Sequence, residues 1–269
     1  EQLCGTAVSS SQVSRAAAIL DETLKAWRNR PLGEIVYLYL DARYEKVRQD
    51  GQIRDAAILL ASGVDLKGKR QILGVSVSLS EAEVHWRSFL QRLVARGLSG
   101  IQLITSDDHA GLGAARRAVF GGVPWQRCQF HLQQNASAYV PRKEMLSTVA
   151  DDLRTVFNAP DRSTAEAYLA KLVQKYEQSA SRLADWLEKN APQGFTAFDF
   201  PPNHRRRIRT SNGLERLSRE IRRRTRVVSI FPNEASCLRL ISAILMEVDE
   251  EWQTGKAYLS FHDNERMPF

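Results

Sequence analysis

Residues 34–44 read EIVYLYLDARY, a run of apolar and aromatic side chains that reaches a carboxylate, Asp41, and then continues into charged residues. Because the run is continuous and follows Pro31, Leu32 and Gly33, it predicts a strand that is buried on both faces at the centre of a covered sheet. Burying a lone ionised carboxylate costs several kcal/mol or more. Asp41 is therefore expected to be paired, hydrogen-bonded or bound to a cation.

The overall composition restricts the class of protein. A chain of 269 residues with 43% hydrophobic residues can form one large domain or two small ones around a substantial core. The sequence has no run near the roughly 18 apolar residues of a membrane span and no export leader, which predicts a cytoplasmic protein. The cysteines Cys4, Cys128 and Cys237 are odd in number and far apart, which favours a reducing compartment over a disulfide framework.

The positive charge of the chain is concentrated in one segment. The net charge is +7, and residues 201–226 hold ten arginines, no lysine and only two acids, Glu215 and Glu220. Guanidinium groups bind phosphate oxygens in pairs, and counterion release adds affinity for a polyanion. Because so many arginines repel one another without a partner, the segment predicts a nucleic-acid site rather than an ordinary solvated helix face. The arginines are Arg205, Arg206, Arg207, Arg209, Arg216, Arg219, Arg222, Arg223, Arg224 and Arg226.

The first half of the chain predicts a mixed α/β sheet. After a helix from Ser9 to Arg28, three strands joined by short turns should form an antiparallel meander: the Asp41 strand, then residues 53–62 and 71–79. A helix opened by a Ser80–Glu83 capping box, with Val84 facing inward, leads to a strand at 101–105, a helix at 109–120 and a strand at 123–130. If the first and fourth strands are neighbours, Asp41 and Asp107 converge.

The second half predicts helices. Residues 132–190 carry three helical patterns and no β-type run, and another helix starts near Asn212, with Leu214, Leu217 and Ile221 facing the core. A last helix spans residues 234–252, and the tail from Thr254 is expected to be loosely ordered.

Three carboxylates from separate segments suggest a metal site. Asp41 and Asp107 follow strands, and Glu215 lies on the helix within the arginine segment. Hard oxygen ligands of this kind suit Mg²⁺ or Mn²⁺, and two such ions clamp the attacking and leaving oxygens of a phosphoryl displacement. The alternative for Glu215 is a capping glutamate three residues after Asn212.

The resemblance to a known family rests on four segments: residues 38–48 (LYLDARYEKVR), 106–112 (SDDHAGL), 125–131 (WQRCQFH) and 211–216 (SNGLER). Residues 222–226 (RRRTR) and 231–233 (FPN) add to them. Together these segments resemble the Mutator-type transposases of bacterial insertion sequences over essentially the whole chain. The resemblance implies an RNase H-like mixed sheet, with three antiparallel and two parallel strands, interrupted by an all-helical insertion domain.

The same resemblance implies a division of the chain and a set of site residues. Residues 1–31 would end an N-terminal DNA-binding or linker region, 32–131 and 206–269 would form the catalytic core, and 132–205 the helical insertion. The implied DDE triad, which would bind two Mg²⁺ ions or Mn²⁺ in their place, is Asp41, Asp107 and Glu215, although the adjacent Asp108 competes with Asp107. The family's Cys-x-x-His element falls on Cys128 and His131, and its insertion-domain tryptophan on Trp186.

Cys128 and His131 supply only half the ligands of a zinc site, so a core or DNA-proximal role is favoured over structural zinc. Trp186 either packs in the core or stacks on a flipped base. Beside Trp186, the residues expected to contact DNA are Arg43, Lys46 and the ten arginines of residues 201–226.

The implied function is a DNA transposase that cleaves insertion-sequence ends and transfers the 3′-hydroxyl into target DNA. The implied partners are double-stranded transposon ends and target DNA, bound by a homodimer near the bacterial nucleoid, without a membrane. The alternatives are a domesticated or inactive DNA-binding protein and another RNase H-like nuclease such as a junction resolvase. A haloacid-dehalogenase-type phosphatase is disfavoured because Arg43 replaces its second aspartate.

Overall fold

The computed structural model describes residues 9–261 and centres on one five-stranded sheet. The order across the sheet is β3-β2-β1-β4-β5, in which β3, β2 and β1 pair antiparallel and β1, β4 and β5 pair parallel. The predicted mixed sheet, with both antiparallel and parallel strands, is therefore confirmed. The strands are β1 (Ile35–Gln49), β2 (Gln52–Asp65), β3 (Arg70–Ser78), β4 (Leu103–Ser106) and β5 (Trp125–Arg127).

Asp41 lies inside β1 rather than at its end. The strand pairs with β4 only from Tyr37 to Tyr39, whereas its antiparallel pairing with β2 continues to Gln49, across the Asp50–Gly51 turn. Both turn residues have positive φ, which suits a tight two-residue hairpin. The long hairpin therefore carries β1 eight residues past Asp41, and Asp41 marks the point where the parallel pairing stops.

Ten helices complete the described chain. Helix α1 begins with the predicted serine cap. The Ser9 side chain accepts the backbone N–H of Gln12, and the Gln12 side chain accepts the backbone N–H of Ser9. Residues 1–8, which include Cys4 and part of the predicted linker, lie outside the described range. The helices are α1 (Ser10–Asn29), α2 (Glu83–Ala95), α3 (Ala110–Val119), α4 (Gln129–Ser137), α5 (Leu146–Phe157), α6 (Arg162–Tyr176), α7 (Ser181–Asn190), α8 (Pro202–Ile208), α9 (Asn212–Thr225) and α10 (Glu234–Thr254), with short 3₁₀ turns at Lys143–Met145, Ala191–Gly194 and Thr196–Asp199.

The sheet is covered on both faces. Helices α2 and α3 pack on one face, where Leu38 and Leu40 of β1 meet Trp86. Helices α9 and α10 pack on the other, where Tyr37 and Tyr39 of β1 meet the inward residues of α9. The predicted inward positions of α9 are confirmed, since Leu214, Leu217 and Ile221 are buried. A strand with apolar side chains on both sides needs this cover.

Two local predictions in the sheet half are wrong. Helix α2 starts at Glu83 without a side-chain cap, and the solvent-facing Val84 is 66% exposed while Trp86 is fully buried. The helix starts later than the serine suggested, and Val84 lies off the inward face, on which Phe89, Leu90 and Leu93 are buried. The fifth strand is also shorter than predicted, because the backbone turns into helix α4 at Cys128.

Helices α5, α6 and α7 pack around an apolar core of their own, together with α4. The tail is better ordered than expected as far as Phe261, because Tyr258 and Leu259 donate backbone hydrogen bonds to the carbonyl of Gly68 and Leu259 is buried. None of the helices within residues 9–261 combines the length and apolar character needed to span a bilayer.

Candidate active site

Asp41 is partly buried, and its carboxylate accepts the backbone N–H of Ala42 at 2.9 Å. Burial raises the pKa of Asp41 to about 7. The imidazole of His131 and the Ala42 N–H oppose this shift, while the carboxylates of Glu215 and Asp107 add to it. The fold therefore brings the three sequence-predicted acids within electrostatic range of one another, together with His131.

Asp107 and Asp108 point to different partners. Asp107 follows β4, is half-buried and accepts the N–H of Asp108 at 2.7 Å. The exposed Asp108 forms an ion pair at 3.2 Å with Arg127, whose side chain is almost fully buried. The charge of Asp107 is among those that raise the pKa of Asp41, whereas Asp108 faces Arg127.

Glu215 lies in the first turn of α9, and its side chain does not cap that helix. The capping position is Ser211, whose N–H donates to the sulfur of Cys128 at 3.3 Å. The Glu215 carboxylate instead lies 4.0 Å from the same sulfur. Burial raises the pKa of Glu215, while His131 and Arg219 lower it. The alternative prediction, that Glu215 caps its own helix, is therefore wrong.

Cys128 and His131 lie at the start of α4, beside these acids. The Cys128 backbone N–H donates to the carbonyl of Ser106 at 2.8 Å, which joins α4 to the end of β4. Burial alone would lower the pKa of His131, but its hydrogen bond with Cys128 and the charges of Cys128, Asp107 and Asp41 raise it to about 9. The most compact ligand set is Cys128, His131 and Glu215, whose ligand atoms all lie within 4.8 Å of one another. It shares only Glu215 with the predicted triad.

Several of the predicted DNA-contacting arginines bind the protein itself. Arg43 donates to the carbonyl of Ser218 and pairs with Glu45. Arg205 and Arg209 donate to backbone carbonyls at residues 200, 160 and 157. Arg223 and Arg224 pair with Glu220, and Arg224 also pairs with Glu247. These contacts neutralise or anchor Arg43 and four of the ten arginines of residues 201–226.

The remaining basic side chains face solvent. A cavity of about 610 Å³ opens between β1 and α9, and it is lined by Tyr44 and by four of these cations. Its size and charge suit a phosphate-bearing ligand. The exposed cations are Lys46, Arg206, Arg207, Arg216, Arg219, Arg222 and Arg226, of which Lys46, Arg219, Arg222 and Arg226 line the cavity.

Trp186 belongs to a packed cluster on the helical side of the site. Its ring stacks on Tyr139 with centroids 5.3 Å apart, and the Arg127 guanidinium lies 5.6 Å from the ring. Arg127 also donates to Asn190 and to Gln193. Trp186 therefore contacts the same arginine that holds Asp108, rather than standing free in solvent.

A family model described as Transposase, Mutator family, matches residues 1–255. The chain belongs to the Mutator family of transposases.

Among relatives of this Mutator-family chain is the transposase for insertion sequence element IS406 of Burkholderia multivorans, 60% identical over 255 residues. Another is the transposase for insertion sequence element ISRM5 of Rhizobium meliloti, 44% identical over 264 residues. The matches cover 95% and 98% of this chain but 66% of each relative, so the chain spans about two thirds of their length. A solved structure that is similar to part of the chain is a simian T-cell lymphotropic virus intasome in complex with the PP2A regulatory subunit B56 gamma. The match covers 59% of this chain and 49% of the solved chain, at 13% sequence identity and a TM-score of 0.26, and carries no argument here.

Three residues that organise this Mutator-family site escape sequence reasoning. Ser211 holds the sulfur of Cys128, Arg127 holds Asp108, and Glu45 holds Arg43. Each acts through a partner in a distant segment or through a short polar contact that periodicity does not reveal. The one available signal is that Ser211, Arg127 and Glu45 all lie within the segments that carry the family resemblance.

Proposed function

We propose that this chain is the catalytic part of a DNA transposase that cleaves insertion-sequence ends and joins the freed 3′-hydroxyl to target DNA. The observation that carries the proposal is the grouping of Asp41, Asp107 and Glu215 from a central strand, the next parallel strand and helix α9. Burying carboxylates together is unfavourable unless a cation compensates, and such groupings are typical of functional sites.

The fold supports an RNase H-like core. Three antiparallel strands are followed by two parallel ones, and both faces are covered by helices. Helices α5 to α7, with their own apolar core, lie in sequence between β5 and α9. This supports the division into a core of residues 32–131 and 206–269 and a helical insertion of residues 132–205.

The donor set fits a hard divalent ion. Asp41, Asp107 and Glu215 would hold Mg²⁺, or Mn²⁺ in its place, through carboxylate oxygens. Two such ions would supply Lewis acidity for the attacking water or 3′-hydroxyl and for the leaving oxygen. The raised pKa of Asp41 fits this assignment, because a site that binds a proton near neutral pH is one where a cation is favoured.

The side chains of the protein would position the substrate. Arg219, Arg222 and Arg226, which line the cavity between β1 and α9, would bind backbone phosphates on one side of the scissile bond. Their fixed charges orient the strand so that the attacked phosphate faces Asp41. Because no side chain acts as a nucleophile, no covalent protein–DNA intermediate is expected. Assembly as a homodimer on paired DNA ends is part of the same proposal.

The test compares two adjacent aspartates. We expect Asp107→Asn to reduce Mg²⁺-dependent cleavage by about a thousandfold or more, because losing several kcal/mol of charge stabilisation has that effect on a rate. Asp108→Asn should stay within about tenfold of the parent, since the amide oxygen of asparagine can still accept from Arg127, which also donates to Asn190 and Gln193. The assay follows nicking and strand transfer on a plasmid that carries the DNA flanking the gene, with Ca²⁺ as the inactive-ion control.

The possible outcomes separate the alternatives. DNA binding without metal-dependent cleavage by the unsubstituted protein would leave a binding protein only. Cleavage without strand transfer would indicate a different nuclease. Equal losses in Asp107→Asn and Asp108→Asn would contradict the assigned carboxylate set.

A further inference from the structure

A second ligand set lies beside the three acids. Cys128 begins α4, His131 follows one turn later, and Glu215 reaches them from the first turn of α9. One sulfur, one ring nitrogen and one carboxylate oxygen lie within 4.8 Å of one another. Neighbouring ligands around a tetrahedral ion, whose bonds are about 2.0–2.3 Å long, lie about 3.3–3.8 Å apart, so the three side chains would close on an ion by shifts of about 1 Å or less.

The surroundings of Cys128 favour a sulfur that acts as an acceptor. The Ser211 N–H and hydroxyl both donate to it, at 3.3 and 3.2 Å. Cys128 and Ser211 are also the N-terminal capping residues of α4 and α9, where unpaired backbone N–H groups present positive charge. A cysteine sulfur bound to a metal accepts hydrogen bonds of this kind, so the two Ser211 donors fit such a ligand.

The imidazole of His131 has an unused polar atom. Its Nδ1 is buried and has no hydrogen-bond partner within residues 9–261. Buried polar nitrogens are nearly always paired, so an unpaired one calls for an absent partner. A bound metal ion, or a ligand of that ion, would satisfy this nitrogen. The ring also hydrogen-bonds with the Cys128 thiol and lies edge-on to Phe130.

We propose that Cys128, His131 and Glu215 form a binding site for a divalent transition-metal ion of the Zn²⁺ class. Sulfur, nitrogen and oxygen donors together select Zn²⁺ or Co²⁺ over Mg²⁺, which prefers oxygen alone. Three protein ligands leave a fourth position open to water or a phosphate oxygen.

Glu215 belongs both to this ligand set and to the three acids proposed to bind Mg²⁺. An ion held by Cys128 and His131 engages Glu215, and this removes one of the three acids available to Mg²⁺. Zn²⁺ would therefore inhibit the cleavage reaction, a consequence that rests on the function proposed above. The binding itself does not depend on that function.

The experiment titrates the metal-free protein with Co²⁺ alone and records its absorption spectrum. We expect one Co²⁺ per chain with a thiolate-to-cobalt charge-transfer band that Zn²⁺ bleaches. Cys128→Ser should remove the band and weaken binding at least about 100-fold, and Glu215→Gln should weaken it by about tenfold. Cys4→Ser and Cys237→Ala change the other two thiols and should leave the band intact, as should Asp41→Asn.

X-ray absorption of the Zn²⁺-loaded unsubstituted protein gives a readout that does not depend on any variant folding. One sulfur at about 2.3 Å, with nitrogen and oxygen neighbours near 2.0–2.1 Å, is expected. Absence of a sulfur neighbour, or a cobalt band that survives Cys128→Ser, would overturn the proposal. The two proposals can fail separately. If Asp41→Asn still binds Zn²⁺ and the unsubstituted protein shows no cleavage activity, the metal site stands and the proposed function is rejected.

Discussion

The ionised carboxylate of Asp41 lowers the free energy of unfolding of the protein. Its carboxylate lies inside the central strand, partly buried and close to Asp107 and Glu215, and burial is the largest cause of its raised pKa. Local arrangements that cost stability are expected where they serve a function. The cost should be measurable when no metal is present.

We predict that Asp41→Asn stabilises the metal-free protein at alkaline pH. The pKa of Asp41 rises from 3.8 in the reference state to about 7 in the fold. Between these values the folded protein keeps a proton that the unfolded chain releases, so stability falls as pH rises through this window and stays low above it. Urea unfolding in EDTA at pH 8 should give a gain on the order of a few kcal/mol for Asp41→Asn.

The gain should shrink towards zero as the pH approaches 4, where the carboxyl is protonated in both states. Asp55→Asn, which changes an exposed carboxylate on β2, provides the matched control and should alter stability little at either pH. An Asp41→Asn protein that is no more stable than its parent at pH 8 would show that the acids are not mutually unfavourable.

At the scale of single elements, helix α9 is attached to strand β1 by a polar contact next to the site. Arg43 of β1 donates to the carbonyl of Ser218, and Glu45 accepts from both Arg43 and the hydroxyl of Thr225. Arg43 and Glu45 have side chains that are only 12% and 13% exposed. The contact sets how α9, and with it Glu215, sits against the sheet.

We predict that Glu45→Ala destabilises the protein by about 3 kcal/mol, because it leaves the Arg43 charge buried without its partner. Cleavage per folded molecule should also fall, since α9 loses its attachment next to Glu215. Thermal unfolding and the plasmid assay measure the two effects. Lys46→Ala removes an exposed charge one residue away and should change stability by less than about 0.5 kcal/mol. Equal stability of the two variants would exclude this role of Glu45.

At the scale of the whole molecule, the arginines divide into an internal set and a surface set. Arg224 is held by Glu220 and Glu247, whereas Arg222, two residues earlier, lines the cavity between β1 and α9 and faces solvent. The basic composition of residues 201–226 therefore overstates the charge available to DNA. The available charge includes Arg219, Arg222 and Arg226, which line the cavity between β1 and α9.

We predict that Arg222→Ala weakens binding to a random-sequence DNA duplex and lowers the slope of log K against log salt by about one, as expected for the loss of one phosphate contact. Arg224→Ala should change the slope much less, because its guanidinium is already paired. Fluorescence anisotropy at several salt concentrations measures both. If the two variants show the same slope, the division into paired and available arginines is wrong.

Local patterns predicted much of the framework. The continuous apolar run of β1, the turn at Asp50–Gly51 and the inward face of α9 all depend on near neighbours in the chain. The same patterns failed where a cap or a strand end had to be located, at Ser80 and at Cys128. In both places the backbone hydrogen bonds depend on packing against another element, which periodicity does not contain.

Patterns within the sequence were enough to predict the strands, most of the helices, the family, and a short set of acids and arginines as candidates, but not helices α4 and α8. Only the tertiary structure decided that Asp108 pairs with Arg127, that Arg224 is internally paired, and that Cys128 meets Glu215. Cys128 and Glu215 lie 87 residues apart, and they meet because α4 and α9 both start at the same edge of the sheet. Contacts of this kind depend on how elements pack, so no local pattern of side chains encodes them.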